Sequence, residues 1–249
     1  MTSAKIMQKR REDIRRRIAT HDHSFPTCVV LDCGRPTAAR ERSGLNRSYC
    51  RTHVEHFSRH GSYSKRSYTA GDLQPYRGRA LAWLQANAEH PDIREAVSRM
   101  RTLYWRGRPE EAFRLAGKSP EERARVVWAR LRTHGVDHLQ PLAAWVAVCL
   151  CHAADLQPER KIEYRWVQAG KVLNRLSGGS HKRWENLGHG GRLEVTELHK
   201  YPASRGRVLR HLGEQVAHAA KRLESHLEAI GASAAPATRL PRARRRVSH

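Results

Sequence analysis

From the Gly- and Pro-bearing stretch Gly71 to Gly78 as far as about residue 177, apolar positions return at helical spacing. Ile93, Val97, Met100 and Tyr104 mark one helix face behind Pro91, a residue suited to a first turn. Ser119-Pro120-Glu121-Glu122 reads as a capping box with proline at the first helical position, and Ala124, Val127, Trp128 and Leu131 follow on one face. The segment Leu139 to Leu156 is apolar nearly all round, which predicts a central buried helix. Pro158 is expected to open the next helix, through Ile162, Val172 and Leu176. Glycines then interrupt the pattern between Ser177 and Val195, where a hairpin or a surface loop is expected. A last helix over 205–230 follows from Val208, Leu212, Val216, Ala219, Leu223, Leu227 and Ile230, spaced in fours and threes. Such a stripe suits docking on the bundle, on a protein partner or on a second copy of the chain. Trp83, Trp105, Trp128, Trp145, Trp166 and Trp184 fall about one per predicted helix and are expected as core anchors, with stacking platforms for bases as the alternative.

Outside this region the pattern changes. Residues 4–20 carry Lys5, Lys9, Arg10, Arg11, Arg15, Arg16 and Arg17 and read as a helical basic arm. Residues 24–68 are loop-like, and beyond Ala232 the sequence falls to small residues, prolines and the cations Arg242, Arg244, Arg245 and Arg246, the composition of a disordered tail. The expected fold is mainly α: a basic arm over 1–23, a small zinc-binding module over 24–70, a helical domain over 71–232, and a disordered basic tail over 233–249.

Charge alters the picture most. Lys and Arg number 47 against 24 Asp and Glu, a formal charge of +23 with a pI near 10.9. A field of that sign draws polyanions through phosphate neutralisation and counterion release. Arginine supplies 38 of the cations and lysine 9, and its planar fork can grip a phosphate or a guanine edge with two hydrogen bonds. The opening residues lack the apolar centre of a signal peptide. The longest apolar run, Leu142 to Leu150, is about half of what a spanning helix needs. A cytoplasmic protein with no membrane partner is expected, nucleoid-associated in a bacterium.

One constellation carries specific chemistry, Cys28-x4-Cys33-x16-Cys50-x2-His53. Three thiolates and an imidazole in two close pairs form a closed tetrahedral set for Zn2+, and with all four positions filled by protein the ion is structural rather than catalytic. Gly34 and Pro36 fit a tight turn beside the first pair, and a helix over Tyr49 to His60 is expected to deliver the second. His56 competes as fourth ligand, with His21 and His23 as weaker candidates. Cys149 and Cys151 point away from each other on a helix and read as buried thiols.

With these residues in view, the stretch 28–61 resembles the short Cys3His zinc knuckles of phage and mobile-element proteins that bind DNA or accompany HNH nuclease domains. The shared elements are Cys-x4-Cys-Gly-Arg-Pro, a Gly-Leu step, Cys-x2-His and a closing His-Gly. The resemblance implies a structural zinc and a mobile-element setting, and no activity. Leu176 to His181 with Glu185-Asn186-Leu187 also echoes the HNH pattern, but the Asp-His pair expected before it is missing, and Gly170-Lys171-Val172 stands near its place. A histidine base is what activates water in such sites.

The sequence therefore points to a zinc-stabilised, non-enzymatic nucleic-acid-binding protein, DNA favoured over RNA, acting as an accessory or regulatory factor. The expected contacts are Arg10, Arg11, Arg15, Arg16 and Arg17 on the arm, Arg40, Arg42, Arg47, Arg51 and Arg59 around the zinc, and Arg242, Arg244, Arg245 and Arg246 on the tail. The alternatives are an RNA- or ribonucleoprotein-associated factor, for which the same features serve, and a degenerate HNH-like metal-dependent nuclease.

Overall fold

Every residue from Pro141 to Cys151 is buried, so the segment that is apolar all round forms the centre of a helical unit. In a computed structural model, which describes residues 3–19, 26–37, 47–111, 114–187, 193–200 and 206–233, the protein is mainly helical. It divides into Met1–Arg66 and Ser67–His249. The first unit holds α1 (Ser3–Ala19) and α2 (Arg51–His60). The second holds α3 (Ala70–Ala86), α4 (Pro91–Trp105), α5 (Pro120–Thr133), α6 (Leu139–Ala153), α7 (Ile162–Leu176), β1 (Ser180–Leu187), β2 (Leu193–Lys200) and α8 (Arg207–Ala219), then a 3-10 segment over Lys221–His226 and α9 (Leu227–Ala232). None of the described helices is long and apolar enough to cross a membrane. The basic tail expected over 233–249 lies, past Ser233, outside the described residues.

Local signals set the helix starts. Ser119 and Glu122 close the capping box at α5 with Pro120 at its first position, and Thr69 with Asp72 does the same at α3. The second box corrects the boundary expected at Gly71 to Gly78, because α3 runs through Pro75. Pro75 is the sixth residue of α3, past the first turn, so the helix continues there without the hydrogen bond to the Gly71 carbonyl. Pro158 does not open α7; Lys161 is its N-cap. α6 stops at Ala153, and Leu156 is fully exposed.

α6 is covered by α3 and α7, and α8 packs on α7 and α5. Trp128 and Trp145 are fully buried, Trp83 and Trp166 pack partly buried against the core, and Trp105 and Trp184 are exposed, against expectation. The helix expected over 205–230 is broken at Ala220 into α8, the 3-10 segment and α9. Its stripe Val208, Leu212, Val216, Ala219, Leu223 and Ile230 is buried in the same core, so these side chains dock on the bundle and are not displayed to a partner. Cys149 and Cys151 are buried, and burial pushes the Cys149 thiol up to about 12.

The tightest joint lies between α7 and α8. A Cβ on Gly213 would fall on the Trp166 backbone carbonyl, and one on Gly170 would fall on the Leu209 carbonyl. Each helix therefore presents a glycine to the other's backbone. The C-terminal end of α7 is held by Arg130, which is 3% exposed. Its Nη2 donates to the Gly178 carbonyl at 2.8 Å and its Nε to that of Ser177 at 3.3 Å. A buried cation is thus placed at the negative end of a helix, and burial lowers its pKa.

Alanine should act with opposite signs at three helical glycines. Gly170→Ala and Gly213→Ala are each expected to cost about 1–3 kcal/mol or more by overpacking, read as a fall in Tm. Gly78 has nothing within 4 Å of a built Cβ, so Gly78→Ala should raise stability by about 0.5–1 kcal/mol. A uniform response at the three sites would contradict this account of the joint.

Candidate metal centre and the basic residues near it

Residues 26–37 double back on themselves. Thr27 bridges to Pro36, the Cys28 amide donates to the Arg35 carbonyl at 2.8 Å, and the Thr37 amide to Pro26 at 2.9 Å. The turn passes through Asp32 at φ 60° and Gly34 at φ 55°, and the Cys33 amide closes it on the Val30 carbonyl. This brings Cys28 and Cys33 to one side. The second arm is tied on by the Val29 amide, which donates to Ser48 at 2.9 Å. Cys50 is the N-cap of α2, so His53 follows within the first turn. α2 ends on Gly61, left-handed at φ 78°, whose amide donates to Phe57.

The four side chains meet. Cys28 Sγ lies 3.3 Å and Cys50 Sγ 3.4 Å from His53 Nδ1, and Cys33 Sγ is 3.8 Å from Cys50 Sγ. One donor atom from each lies within 4.8 Å of all the others, a group that could hold a metal ion. Cys28 and Cys50 are buried, while Cys33 and His53 are half-buried. Burial pushes the Cys28 thiol up, but the Cys50 and Val30 amides, His53 and Cys33 outweigh it and bring it down to about 7. Burial raises Cys33, with Cys50 and Cys28 adding to the shift. The first-turn N–H groups of α2 favour the negative charge of a thiolate-rich centre.

His56 takes another role, since its Nδ1 donates to the Ser62 carbonyl at 2.8 Å and its ring stacks on His60. His21 and His23 lie outside the described residues. Tyr63 stacks between Tyr49, at 3.4 Å between centroids, and Phe57, at 4.5 Å. These rings are half-buried and supplement the cluster.

The expected basic contacts fall into three groups. Arg11, Arg15 and Arg16 are exposed on α1, Arg10 is half-buried there, Arg17 lies on the same helix, and Arg16 pairs with Asp13 at 2.9 Å. Arg47, Arg51 and Arg59 are exposed, the last two sharing Glu55 at 2.9 and 3.9 Å. Arg40, Arg42, Arg242, Arg244, Arg245 and Arg246 lie outside the described residues.

Two further groups of possible ligands were not legible as groups in the sequence: His90, Asp92 and His226, and His181, Glu197 and His199. The first joins residues far apart in the chain. The second left a faint signal, histidines and acids at alternate positions on both arms of what proves to be a hairpin. His181 and His199 of the HNH echo face each other across that hairpin, and Asn186 lies towards its far end. No family model, curated protein or solved structure matches the chain.

Loss of the Cys3His donor set should affect the two units differently. Cys33→Ser, Cys50→Ser or a strong chelator is expected to abolish amide protection over 26–66 and leave that over 67–233 intact in hydrogen exchange. Full protection of 26–66 in a metal-free Cys28→Ser/Cys33→Ser variant would refute the ligand set.

Proposed function

We propose that the chain is a zinc-stabilised protein without enzymatic activity that binds nucleic acid, DNA in preference to RNA, in the accessory or regulatory manner its knuckle-like segment implies. Zinc is the ion that best suits the donor set. Ligands around one tetrahedral Zn2+ lie about 3.8 Å apart for two sulfurs and about 3.6 Å for sulfur and nitrogen, given Zn–S of about 2.3 Å and Zn–N of about 2.0–2.1 Å. The separations of 3.8, 3.3 and 3.4 Å lie close to these values.

The observation that carries the nucleic-acid reading is the formal charge of +23, together with arginines exposed on both helices of the metal-bearing unit. Arg51 and Arg59 share one acid, and the three side chains are 50–59% exposed. Exposed pairs of this kind contribute about 0–1 kcal/mol. A phosphate can therefore displace Glu55 at little cost and take both guanidinium groups. Binding to duplex DNA should weaken steeply with salt, and deleting residues 1–20 and 233–249 should flatten the log–log slope while leaving the helical unit folded. Affinity that does not change with salt would defeat the proposal.

A second reading, an unpaired strand of DNA or RNA, is favoured by Trp105. It is 73% exposed, and the Arg132 guanidinium lies 4.0 Å from its ring centroid. Arg101, Arg106 and Arg108 are exposed nearby in sequence. Aromatic stacking on a base is worth about 1–3 kcal/mol. If single strands are the target, Trp105→Ala should weaken oligonucleotide binding by roughly that amount and leave duplex binding unchanged. An equal effect on both, or none, removes this reading.

A further inference from the structure

We propose that the β1–β2 hairpin carries a second metal site, in which His181, His199 and Glu197 bind one divalent ion of the zinc–copper group. The antiparallel register sets His181 opposite His199, and the two rings stack with centroids 4.1 Å apart and 15° between their planes. Glu197 stands two residues before His199, so strand alternation puts it on the same face. Its Oε2 is 3.7 Å from His181 Nε2. One donor atom from each residue lies within 4.8 Å of the others. Two imidazoles and a carboxylate suit Zn2+, Cu2+ or Ni2+, whereas Mg2+ and Ca2+ prefer oxygen ligands alone. Three protein ligands leave a coordination position for water.

Competing contacts on this face are weak. Its other charged groups are Arg183 and Glu185, and Arg183 stands 3.9 Å from Glu197 and 4.0 Å from Glu185, with the three side chains 48–57% exposed. Glu197 can turn to a metal at little cost. Stacked rings hold their nitrogen lone pairs side by side, so a tilt of each exposed ring toward the other lets both reach one ion. The hairpin also needs such a clip. Its strands pack chiefly on each other, Trp184, Val195 and Leu198 are 39–48% exposed, and an isolated two-stranded hairpin is marginal in water. The group at the start of α4 differs. There His226 Nε2 donates to Asp92 at 2.9 Å, and the Arg222 guanidinium, 3.4 Å from the same carboxylate, repels an arriving cation.

The test uses the full chain with its first zinc retained, titrated with Zn2+ by calorimetry and with Co2+ by absorption. The intact protein should take up about one further ion. That uptake should vanish in His181→Ala and in His199→Ala, with the helical signal and the first zinc unchanged. Glu197→Gln should weaken it by about tenfold or more, a scale that even outer partners of a metal reach. Amides of 181–185 and 195–199 should exchange more slowly with Zn2+ present in the intact protein and not in the histidine variants. The proposal is overturned if no further ion binds, if uptake survives in the His181→Ala/His199→Ala double variant, or if only His90→Ala or His226→Ala removes it.

Discussion

Four donor atoms, from Cys28, Cys33, Cys50 and His53, come close enough to hold one metal ion, and the described residues between 26 and 66 offer little else to bind them together. Among the described residues of that unit, the buried apolar side chains are those of Cys28 and Cys50, two of the ligands themselves. The Tyr49–Tyr63–Phe57 stack is half-buried, and the rest is hydrogen-bonded turn and one ten-residue helix. A helix of that length is marginal alone in water. Coordination of a structural zinc, which supplies about 10–16 kcal/mol of apparent folding energy in zinc-finger peptides, would far exceed anything else available here. Spacing follows from this requirement. The turn through Asp32 and Gly34 brings Cys33 back beside Cys28, and placing Cys50 at the N-cap puts His53 one turn on.

The second unit is built on the opposite principle. Its ligand-like residues lie outside the core, and its interior is a packed cluster from Leu73 to Ile230. Within it, the α7–α8 joint admits no side chain at Gly170 or Gly213, so the two helices are fixed by backbone against backbone. Polar groups are tied in at the edges of this core: Trp128 Nε1 donates to Gln215 at 2.6 Å, and the Tyr68 hydroxyl to Asp155 at 2.7 Å.

The helical class was legible because caps and apolar periodicity agree. Ser119, Pro120 and Glu122 fix one helix start before any tertiary contact is known, and the run from Pro141 to Cys151 can only be interior. The Cys3His set was legible for the same reason, since two short spacings place each pair locally. One miss was local: Gly71 to Gly78 looked like a boundary, yet the Thr69–Asp72 box starts α3 ahead of it. The other failures lie where distant partners decide. The 205–230 stripe reads as one helix, yet its faces are met by α3, α4, α5, α6 and α7, and the chain bends at Ala220 to follow them. Trp105 and Trp128 look alike in sequence; the second is buried because α8 brings Gln215 to its indole, and the first has only Arg132 stacked over it. Glu197 left only the faint signal of an acid two residues before a histidine, until the hairpin register set it near His181.

The start of β1 is set from the core. Arg130, buried in α5, grips the carbonyls of Ser177 and Gly178, and Gly178 turns at φ 68° with His134 3.1 Å from where a Cβ would stand. The chain therefore leaves α7 in one direction. It enters α8 through Gly206 at φ 76°, and α8 is locked to α7 by the glycine contacts. The β1 root of the hairpin is thus attached to the helical core, and Lys182 on the hairpin's opposite face reaches Glu111 at 3.1 Å. His181 opposite His199 is the second cross-strand pair from that root. A buried guanidinium in α5 thus fixes where β1 starts, and from that start the antiparallel register carries His181 to a place opposite His199.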